Sequence, residues 1–555
     1  MNQFTKHPVF TVHGKPFLSI GGQTHNSSSY FPQDMEISYA SVQALGGNTI
    51  AVPVPWEVFE PEEGYFNDGF VRQLIDGARS HGLKVIFLWF ATWKNGTMEY
   101  VPSWVKTDTK RFQRALLKDG SPILQLSAHS AENREADARA FRRLMEAIRQ
   151  YDEEEQTVIG VQVENEAGIL GGTKRDFGPL GQAAYEGKVP SALICYCEEN
   201  PGSLLAAKWK KAGAVSSGSW KEVFGSYGAE AVTAYAVASY IDYVAAEGKK
   251  AYDLFVYTNV WLDGGSRGMR SNLAGLDWPS GCAGMGNLDI YHAVCKALDS
   301  IAPDVYLQEA GRMEEVYKAY SRPETGFPLY VPESSPFTAV NASMMIEAVG
   351  SYGAVGYHIF GSESVLDADG NLKAGSLPAM HSFRILRNAA PLLLEHRDTG
   401  SLRTIVQRTG EDTLVLDELE GGWKASVYFA RYGNDWGSTD FAHETGYSEG
   451  ENLLDYQAEK GRGFLFQTAK DEFYLAGDKL RVYFQPAEPE DGSIPVHLSI
   501  AEIMPTNVEF LSVTEGHFDE LGNYRIDKIR SGDEMRHGIW ASWDCGVIRI
   551  RLLSL

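Results

Sequence analysis

The stretch LKVIFLWF, residues 83–90, is apolar at nearly every position. A strand with one face in water alternates apolar and polar side chains, so this run predicts a strand that is covered on both faces. Such strands are typical of parallel sheets, in which each connection between neighbours is a crossover, usually a helix. The stretch therefore predicts an α/β fold, and the same unit should recur on either side of it.

The first two-thirds of the chain repeats that unit. Helical stretches such as Tyr39–Leu45, Ala136–Tyr151 and Ala231–Glu247 lie between short apolar runs, as in successive β/α units. Eight units of this kind predict a (β/α)8 TIM barrel. The eight predicted strands are residues 17–22, 46–56, 83–90, 158–166, 253–261, 304–309, 328–333 and 353–360.

The pattern changes near residue 390. Stretches such as KASVYFARYG (424–433) and LRVYFQP (480–486) alternate with period two and are separated by turn residues, which predicts antiparallel strands. We therefore expect a catalytic barrel over 1–388, with a long insert after the fourth strand at about 168–250. A sandwich-like antiparallel β domain should follow over 389–555.

Charge and composition restrict the class of partner. The chain of 555 residues has 73 acidic residues against 50 Lys and Arg, a formal net charge of −23. This balance argues against nucleic acid and anionic membranes, because both require basic surface. No apolar run reaches the ~18 residues of a membrane span. The N-terminus lacks the apolar core of a signal peptide, so we expect a cytoplasmic protein.

The five cysteines fit a reducing compartment better than a disulfide framework. Cys195 and Cys197 form half of a metal-binding pattern, but no second pair or nearby histidine completes it. The sequence therefore predicts buried free thiols and neither a metal nor an organic cofactor.

Two glutamates follow predicted strands that lie far apart in the chain. Glu166 ends the fourth strand and Glu333 ends the seventh, and catalytic groups of such barrels lie at these strand ends. A single strand-end glutamate is more often a structural cap or ion-pair partner, but two invite an acid/base interpretation. Retaining glycoside hydrolysis needs two carboxyl groups about 5–5.5 Å apart. We interpret Glu166 as acid/base and Glu333 as nucleophile, with Glu164 in a supporting role on the same strand face, one step deeper.

Several tryptophans also fall at or beyond strand ends, among them Trp56 and Trp89. Flat aromatic rings can stack on the C–H faces of sugars, although each of these rings could equally pack beneath a loop. The side chains predicted to contact substrate in this way or through polar groups are His25, Trp93, Lys94, Trp261 and Tyr306.

Longer motifs place these residues in a known pattern. The stretch VQVENEAG (161–168) follows GGNTIAVPVPWEVFEPEEGYF (46–66), and YTNVWL (257–262) and YVPE (330–333) come later in the chain. This ordered set resembles the β-galactosidases of glycoside hydrolase family 35, most closely a bacterial branch with an additional C-terminal β domain. The resemblance covers the whole barrel and extends into the tail.

The resemblance implies a retaining exo-acting β-galactosidase that needs no cofactor. It implies that Asn165 binds the sugar 2-hydroxyl, beside the acid/base Glu166 and the nucleophile Glu333. The chain departs from the animal-type pattern at two positions of galactose recognition, where Pro53 replaces a tyrosine and Thr92 replaces a glutamate. Lys94 is a candidate to replace one of the lost hydroxyl contacts.

Two alternatives stay open at this point. The enzyme could release another sugar, as a β-glucosidase, mannosidase or fucosidase, or the barrel could bind carbohydrate without catalysis. The expected partner is a small oligosaccharide or galactoside. A homo-oligomer is expected only by analogy, because a β domain appended to a barrel often supplies a subunit surface.

Overall fold

A parallel sheet with helices around it forms the first part of the molecule. The computed structural model describes residues 9–264, 272–322, 326–397, 399–409, 411, 413–429, 459–486, 508–536 and 538–554. Seven parallel strands are hydrogen-bonded in one sheet, and two short antiparallel hairpins accompany it. The strands are β1 (Thr11–Val12), β2 (Lys15–Pro16), β3 (Ser19–Gln23), β4 (Thr49–Pro55), β5 (Lys84–Lys94), β6 (Arg114–Leu116), β7 (Pro122–Leu126), β8 (Val158–Asn165), β9 (Phe255–Trp261), β10 (Ser300–Asp304) and β11 (Gly356–Phe360).

The segment 329–334 closes this sheet into a barrel. The sheet order is β10-β9-β8-β5-β4-β3-β11, and the segment lies between the two ends of that order. Val305, just after β10, forms a parallel bridge with Ser334, and Val331 forms another with Tyr357 of β11. The predicted (β/α)8 barrel is therefore confirmed, with its seventh strand reduced to isolated bridges.

The helices bury apolar side chains, and a side-chain cap supports the start of some of them. In the third helix, the Asn67 side chain accepts a hydrogen bond from the backbone N–H of Phe70, and Val71, Leu74 and Ile75 are buried. The helices of this part are α1 (Pro32–Leu45), α2 (Trp56–Phe59), α3 (Asp68–Ser80), α4 (Ser103–Thr107), α5 (Ala131–Asp152), α6 (Pro179–Glu186), α7 (Ser191–Glu199), α8 (Leu204–Lys211), α9 (Trp220–Phe224), α10 (Gly228–Ala251), α11 (Leu288–Val294), α12 (Ala310–Tyr320), α13 (Ala339–Gly350) and α14 (Leu377–His396).

Several predicted boundaries differ from the structure. The sixth strand is Ser300–Asp304, whereas the sequence predicted 304–309, because the β-branched and aromatic residues after Asp304 belong to the barrel mouth. The insert after the fourth strand contains α6 to α9, but α10, which the prediction included, packs on α5 as a barrel helix.

The C-terminal part is a sandwich of two antiparallel sheets. A six-stranded sheet has the order β12-β15-β16-β21-β18-β19, and a four-stranded sheet has the order β13-β14-β17-β20. A core of apolar side chains from both sheets lies between them, and the rings of Phe473 and Phe484 meet there at 4.8 Å. The strands are β12 (Leu402–Val406), β13 (Thr413–Leu419), β14 (Trp423–Phe429), β15 (Arg462–Ala469), β16 (Glu472–Asp478), β17 (Leu480–Pro486), β18 (Val508–Phe518), β19 (Tyr524–Arg530), β20 (Ile539–Ala541) and β21 (Val547–Ser554), with α15 (Asp533–Arg536) between β19 and β20.

The helix α14 connects the two parts and packs against both. It extends to His396, so the predicted boundary at 388/389 falls inside a helix, and the first sandwich strand begins at Leu402. The other face of the six-stranded sheet contributes Phe464 and Phe466 to the same buried cluster as the barrel helices. The two parts therefore share one continuous core.

Within the described ranges, no helix has the length and apolarity that a membrane crossing requires.

Candidate functional site

The two strand-end glutamates lie in one site at the carboxyl ends of the barrel strands. Glu333 is 5% exposed and Glu166 is 9% exposed. Asn259, in β9, connects them: its Oδ1 accepts a hydrogen bond from the backbone N–H of Glu166 at 2.9 Å. Its Nδ2 lies 3.4 Å from Oε1 of Glu333. One amide side chain therefore spans the two residues.

Neutral donors hold both carboxylate oxygens of Glu333. Gln23 donates from Nε2 to Oε1 at 2.8 Å, and Tyr306 donates its hydroxyl to Oε2 at 2.7 Å. Burial raises the pKa of Tyr306 and the charge of Glu333 raises it further, so the phenol stays protonated and can donate. Hydrogen bonds to an ionised carboxylate stabilise its charge. These donors fix the orientation of the Glu333 carboxyl group.

A third carboxyl group, Asp304, lies between the two glutamates. It is the last residue of β10 and is 3% exposed. Nδ2 of Asn259 donates to its Oδ2 at 2.8 Å. Burial raises the pKa of Asp304 well above its usual range, and the charges of Glu333 and Glu166 and a hydrogen bond with Glu166 raise it further. The sequence analysis missed Asp304 because it placed the residue at the start of the sixth strand instead of its end.

The backbone at the end of β8 departs from strand geometry. Glu164 has φ +60° and Glu166 has φ +47°, values in the left-handed region that cost L-residues conformational energy. The regular alternation of side chains therefore ends here. Glu164 was expected on the same strand face as Glu166, but its Oε2 accepts from the backbone N–H of Trp93 at 2.7 Å and its carboxyl lies against Asp137 of α5.

Glu164 belongs to a buried polar group between the barrel and its helices. Burial raises its pKa well above the usual range, and the Asp137 carboxyl raises it further. Asp137 in turn accepts hydrogen bonds from the indole of Trp89 at 2.8 Å and from Thr92 at 2.6 Å. Thr92, a position of galactose recognition in the family that the sequence resembles, is thus tied to this group.

Lys94 and Asn165 form a polar pair at the ends of β5 and β8. Nζ of Lys94 donates to Oδ1 of Asn165 at 3.0 Å, and both side chains are buried. Nδ2 of Asn165 is buried and has no hydrogen-bond partner among the described residues. A buried donor of this kind is suited to a substrate hydroxyl, because an unpaired polar group is costly to bury.

The other predicted contact residues occupy different surroundings. His25 is half-exposed at the rim of the mouth and lies 3.0 Å from Glu363, whose hydrogen bond raises the histidine pKa. Trp261, at the end of β9, is partly buried and packs on a small cluster around Trp278. Trp93 is 1% exposed, and its ring packs edge-on against Tyr240 of α10 at 4.9 Å. The structure therefore brings Asn165, Lys94 and Tyr306 to the site, leaves His25 at its rim, and buries Trp93 among the helices.

A separate buried cluster has the ligand types of a metal site. Ligand atoms of His381, Glu459 and Asp478 all lie within 4.8 Å of one another. Arg462 contacts both carboxylates, at 2.8 Å for Glu459 and 3.6 Å for Asp478, and Lys479 also pairs with Glu459. Two cationic side chains thus already balance the two carboxylates, so a further dication would be opposed by their charge.

The cysteines are free thiols. Cys195 is exposed, which differs from the expectation that it is buried, and the other four are buried.

Comparisons with known proteins give one family match and several barrel structures. Residues 379–542 match the model of a domain of unknown function, DUF5597. No curated protein matches the chain. The family match therefore covers α14 and much of the sandwich, but not the site.

The similar solved structures resemble the barrel at low identity. The catalytic domain of a β-amylase from Paenibacillus polymyxa is 12% identical with a TM-score of 0.45, over 66% of this chain and 97% of that one. A β-galactosidase from Bacillus circulans sp. alkalophilus is 14% identical with a TM-score of 0.47, over 69% and 58%. A β-galactosidase from Rahnella sp. R3 is 17% identical with a TM-score of 0.48, over 70% and 58%. This chain thus spans little more than half the length of these two β-galactosidases, and such low identities do not identify its reaction.

Proposed function

We propose that this protein is a retaining exo-β-glycosidase that releases terminal β-galactose from oligosaccharides. The observation that carries the proposal is the convergence of Glu166 and Glu333 on one site. Asn259 contacts the backbone of Glu166 and the carboxylate of Glu333, and the carboxyl groups of both glutamates act on Asp304. Retaining glycoside hydrolysis requires two carboxyl groups in one active site.

The two glutamates have different surroundings, as their roles demand. Glu333 accepts hydrogen bonds from neutral donors on both oxygens, which suits an ionised nucleophile that attacks the anomeric carbon. Glu166 lies beside the carboxyl of Asp304, which suits a group that carries a proton to the leaving oxygen. Pairs of titratable groups whose surroundings differ in this way divide into acid and nucleophile.

The sugar is proposed from the ordered family 35 motifs of the sequence. Asn165 offers its Nδ2 to the 2-hydroxyl, and Lys94 fixes the orientation of that amide through Oδ1. Pro53 and Thr92 do not offer the contacts of the animal-type pattern, so the hydroxyls at other ring positions must be recognised by different side chains.

The sugar is tested with a panel of nitrophenyl β-glycosides, including galactoside, glucoside, mannoside and fucoside. We expect the galactoside to have the highest kcat/KM and its first-formed product, followed by NMR, to be the β-anomer. A preference for another sugar would change only the specificity. An α-anomer as first product would contradict retention, and binding of galactosides without any hydrolysis would favour a silent carbohydrate-binding barrel.

The nucleophile is tested with Glu333→Ala, which should reduce kcat by at least about 10⁴-fold because the covalent step is lost. Azide should restore turnover and give the α-glycosyl azide, since the small anion attacks from the vacated side. Glu315→Ala, on the exposed face of α12, is the matched control and should behave as wild type. Loss of activity without azide rescue would contradict the assignment of Glu333.

The acid/base is tested with Glu166→Ala. Only poor leaving groups need a proton, so dinitrophenyl galactoside should keep far more of its kcat/KM than a natural disaccharide, which should lose about 10²–10⁴-fold. Equal losses for both substrates would contradict the role of Glu166.

A further inference from the structure

Asp304 is a buried carboxyl that the proposed chemistry does not use. It ends β10, is almost fully buried, and accepts a hydrogen bond from Asn259 at 2.8 Å. The same Asn259 side chain contacts the backbone of Glu166 and the carboxylate of Glu333. Asp304 is therefore fixed by the residue that also joins the two catalytic candidates.

The surroundings of Asp304 are rich in acidic groups. Its Oδ2 accepts from Asn259, and its Oδ1 is buried without a hydrogen-bond partner among the described residues. The carboxyl groups of Glu166 and Glu333 disfavour its ionised form, and Lys94 acts in the opposite direction. Three carboxyl groups this close cannot all be ionised without strong repulsion, as in other carboxyl pairs that share a site. The further titratable groups on the surrounding elements that its charge affects are the phenols of Tyr257, Tyr306, Tyr320 and Tyr330.

We propose that Asp304 is a positioning residue that shares one proton with Glu166 and so keeps the acid/base carboxyl protonated until the leaving group departs. The proposal rests on the proposed function, because it assigns Asp304 to the acid/base of that same site. Asp304 acts through Glu166 and need not contact the sugar.

The shared proton serves both steps of a double displacement. In the first step Glu333 forms an ester bond to the anomeric carbon, the glycosidic C–O bond breaks, and the proton of the Glu166–Asp304 pair moves to the leaving oxygen. In the second step a water attacks the anomeric carbon, the ester bond breaks, and a proton of that water returns to the pair. The pair carries no proton between the steps, so the repulsion within it makes Glu166 a stronger base when the water must be activated. Such a pair titrates as a unit, in two separated steps.

The pH dependence of Asp304→Asn tests this sharing. In the wild type, the negative charge of Asp304 opposes the loss of the last proton from the pair. The basic limb of the plot of kcat/KM against pH therefore lies at a higher pH than it would without that charge. Removal of that charge should move the basic limb to lower pH by about one unit. At pH 7, kcat/KM for a disaccharide should fall by up to about 10-fold, the largest loss that a shift of one unit can produce. Asp253→Asn, at an exposed aspartate before the start of β9, is the matched control and should leave the profile unchanged.

Two further variants separate the sharing of a proton by Asp304 from damage to the fold. In a Glu166→Ala background, Asp304→Asn should change the hydrolysis of dinitrophenyl galactoside by less than about threefold, because no acid/base remains for it to act on. Asp304→Ser, which also removes the charge, should shift the basic limb in the same direction.

The outcomes distinguish the two proposals. If the wild type hydrolyses no glycoside of the panel, the proposed function itself fails. If the wild type is active and the basic limb of Asp304→Asn coincides with it, the shared proton is contradicted while the function stands. If Asp304→Asn lowers kcat/KM by the same factor in the wild-type and Glu166→Ala backgrounds, the shared proton is also contradicted, since Asp304 would then act by another route.

Discussion

Among the described residues, neutral donors contact both oxygens of the Glu333 carboxyl group. Glu333 follows an apolar strand in the stretch YVPESSP, where the sequence offers no basic residue. The structure places Gln23, Asn259 and Tyr306 against its oxygens. Each donor is neutral, so the charge of Glu333 is stabilised by oriented dipoles and remains available to attack an electron-poor carbon.

Tyr306→Phe removes one of these donors and leaves the ring in place. A hydrogen bond to a charged group contributes about 1.5–3 kcal/mol, so we expect kcat/KM to fall about 10- to 100-fold. Tyr151→Phe removes a hydroxyl that donates to the exposed Asp76 and is the matched control. A kcat/KM of Tyr306→Phe within about twofold of wild type would contradict the role of this hydrogen bond.

Strand ends led from the sequence to Glu166 and Glu333 as candidate site residues, and a motif led to Asn165. Their catalytic and binding roles stay predictions. Asn259 became evident only from contacts across the barrel, because nothing in the local sequence distinguishes a buried amide that bridges two strands. Trp93 was expected to face the sugar. Instead, β5 continues to Lys94, and the Trp93 ring packs against Tyr240 of α10.

At the scale of elements, the fourth strand ends in a way that strand periodicity does not describe. Two residues with positive φ, Glu164 and Glu166, replace the regular alternation. One carboxyl consequently lies in the helix layer against Asp137, and the other lies beside Asp304. The sequence locates most of the eight strands because their apolar runs are continuous, but it places the sixth at 304–309 instead of Ser300–Asp304. It fails at such ends because contacts from other elements decide the backbone there.

The loop after Glu166 is fixed by a close backbone approach at Gly168. Its φ is +140°, and a Cβ there would lie 2.7 Å from the carbonyl oxygen of Ser280 and 2.8 Å from Pro279. The next residue, Ile169, exchanges two backbone hydrogen bonds of 2.8 Å with Ser280. The segment 279–282 therefore sets the position of the residues that immediately follow the acid/base.

Gly168→Ala should both destabilise the protein and reduce its activity. The strained φ and the contact with Ser280 should cost about 1–3 kcal/mol in the free energy of unfolding, measured with urea. Since Glu166 lies two residues away, kcat should fall more than KM changes. Gly202→Ala is the control, because no atom lies within 4 Å of a Cβ there. A variant with wild-type stability would show that the loop accommodates the methyl group.

At the scale of the whole molecule, buried charges join the barrel to the sandwich. Arg462 of β15 is fully buried, and its guanidinium donates to Ser382 of α14 at 2.6 Å and to Glu459 at 2.8 Å. His381 of α14 lies 3.1 Å from the same Glu459, and Lys479 contacts its other oxygen. Side chains from both parts of the protein therefore contact Glu459, and the relative position of barrel and sandwich depends on these contacts.

Glu459→Gln should be strongly destabilising, since it removes the carboxylate and leaves two buried cations, Arg462 and Lys479, with only Asp478 as a buried counter-charge. Breaking a buried ion pair from one side costs about 3–5 kcal/mol, so we expect a loss of that size in the free energy of unfolding at pH 7. The exposed Glu534→Gln is the matched control and should change it by less than about 0.5 kcal/mol.

The difference in the free energy of unfolding between wild type and Glu459→Gln should also depend on pH. Arg462, His381 and Lys479 hold the pKa of Glu459 well below its usual range despite burial. A carboxyl with a depressed pKa stabilises the fold above its unfolded pKa, near 4.3 for glutamate, and loses this contribution as the pH falls towards the folded value. Urea unfolding at several pH values should therefore show a difference that is constant from about pH 8 to 5 and narrows below about pH 4. A difference that persists undiminished through acid pH would mean that the substitution acts through packing instead of charge.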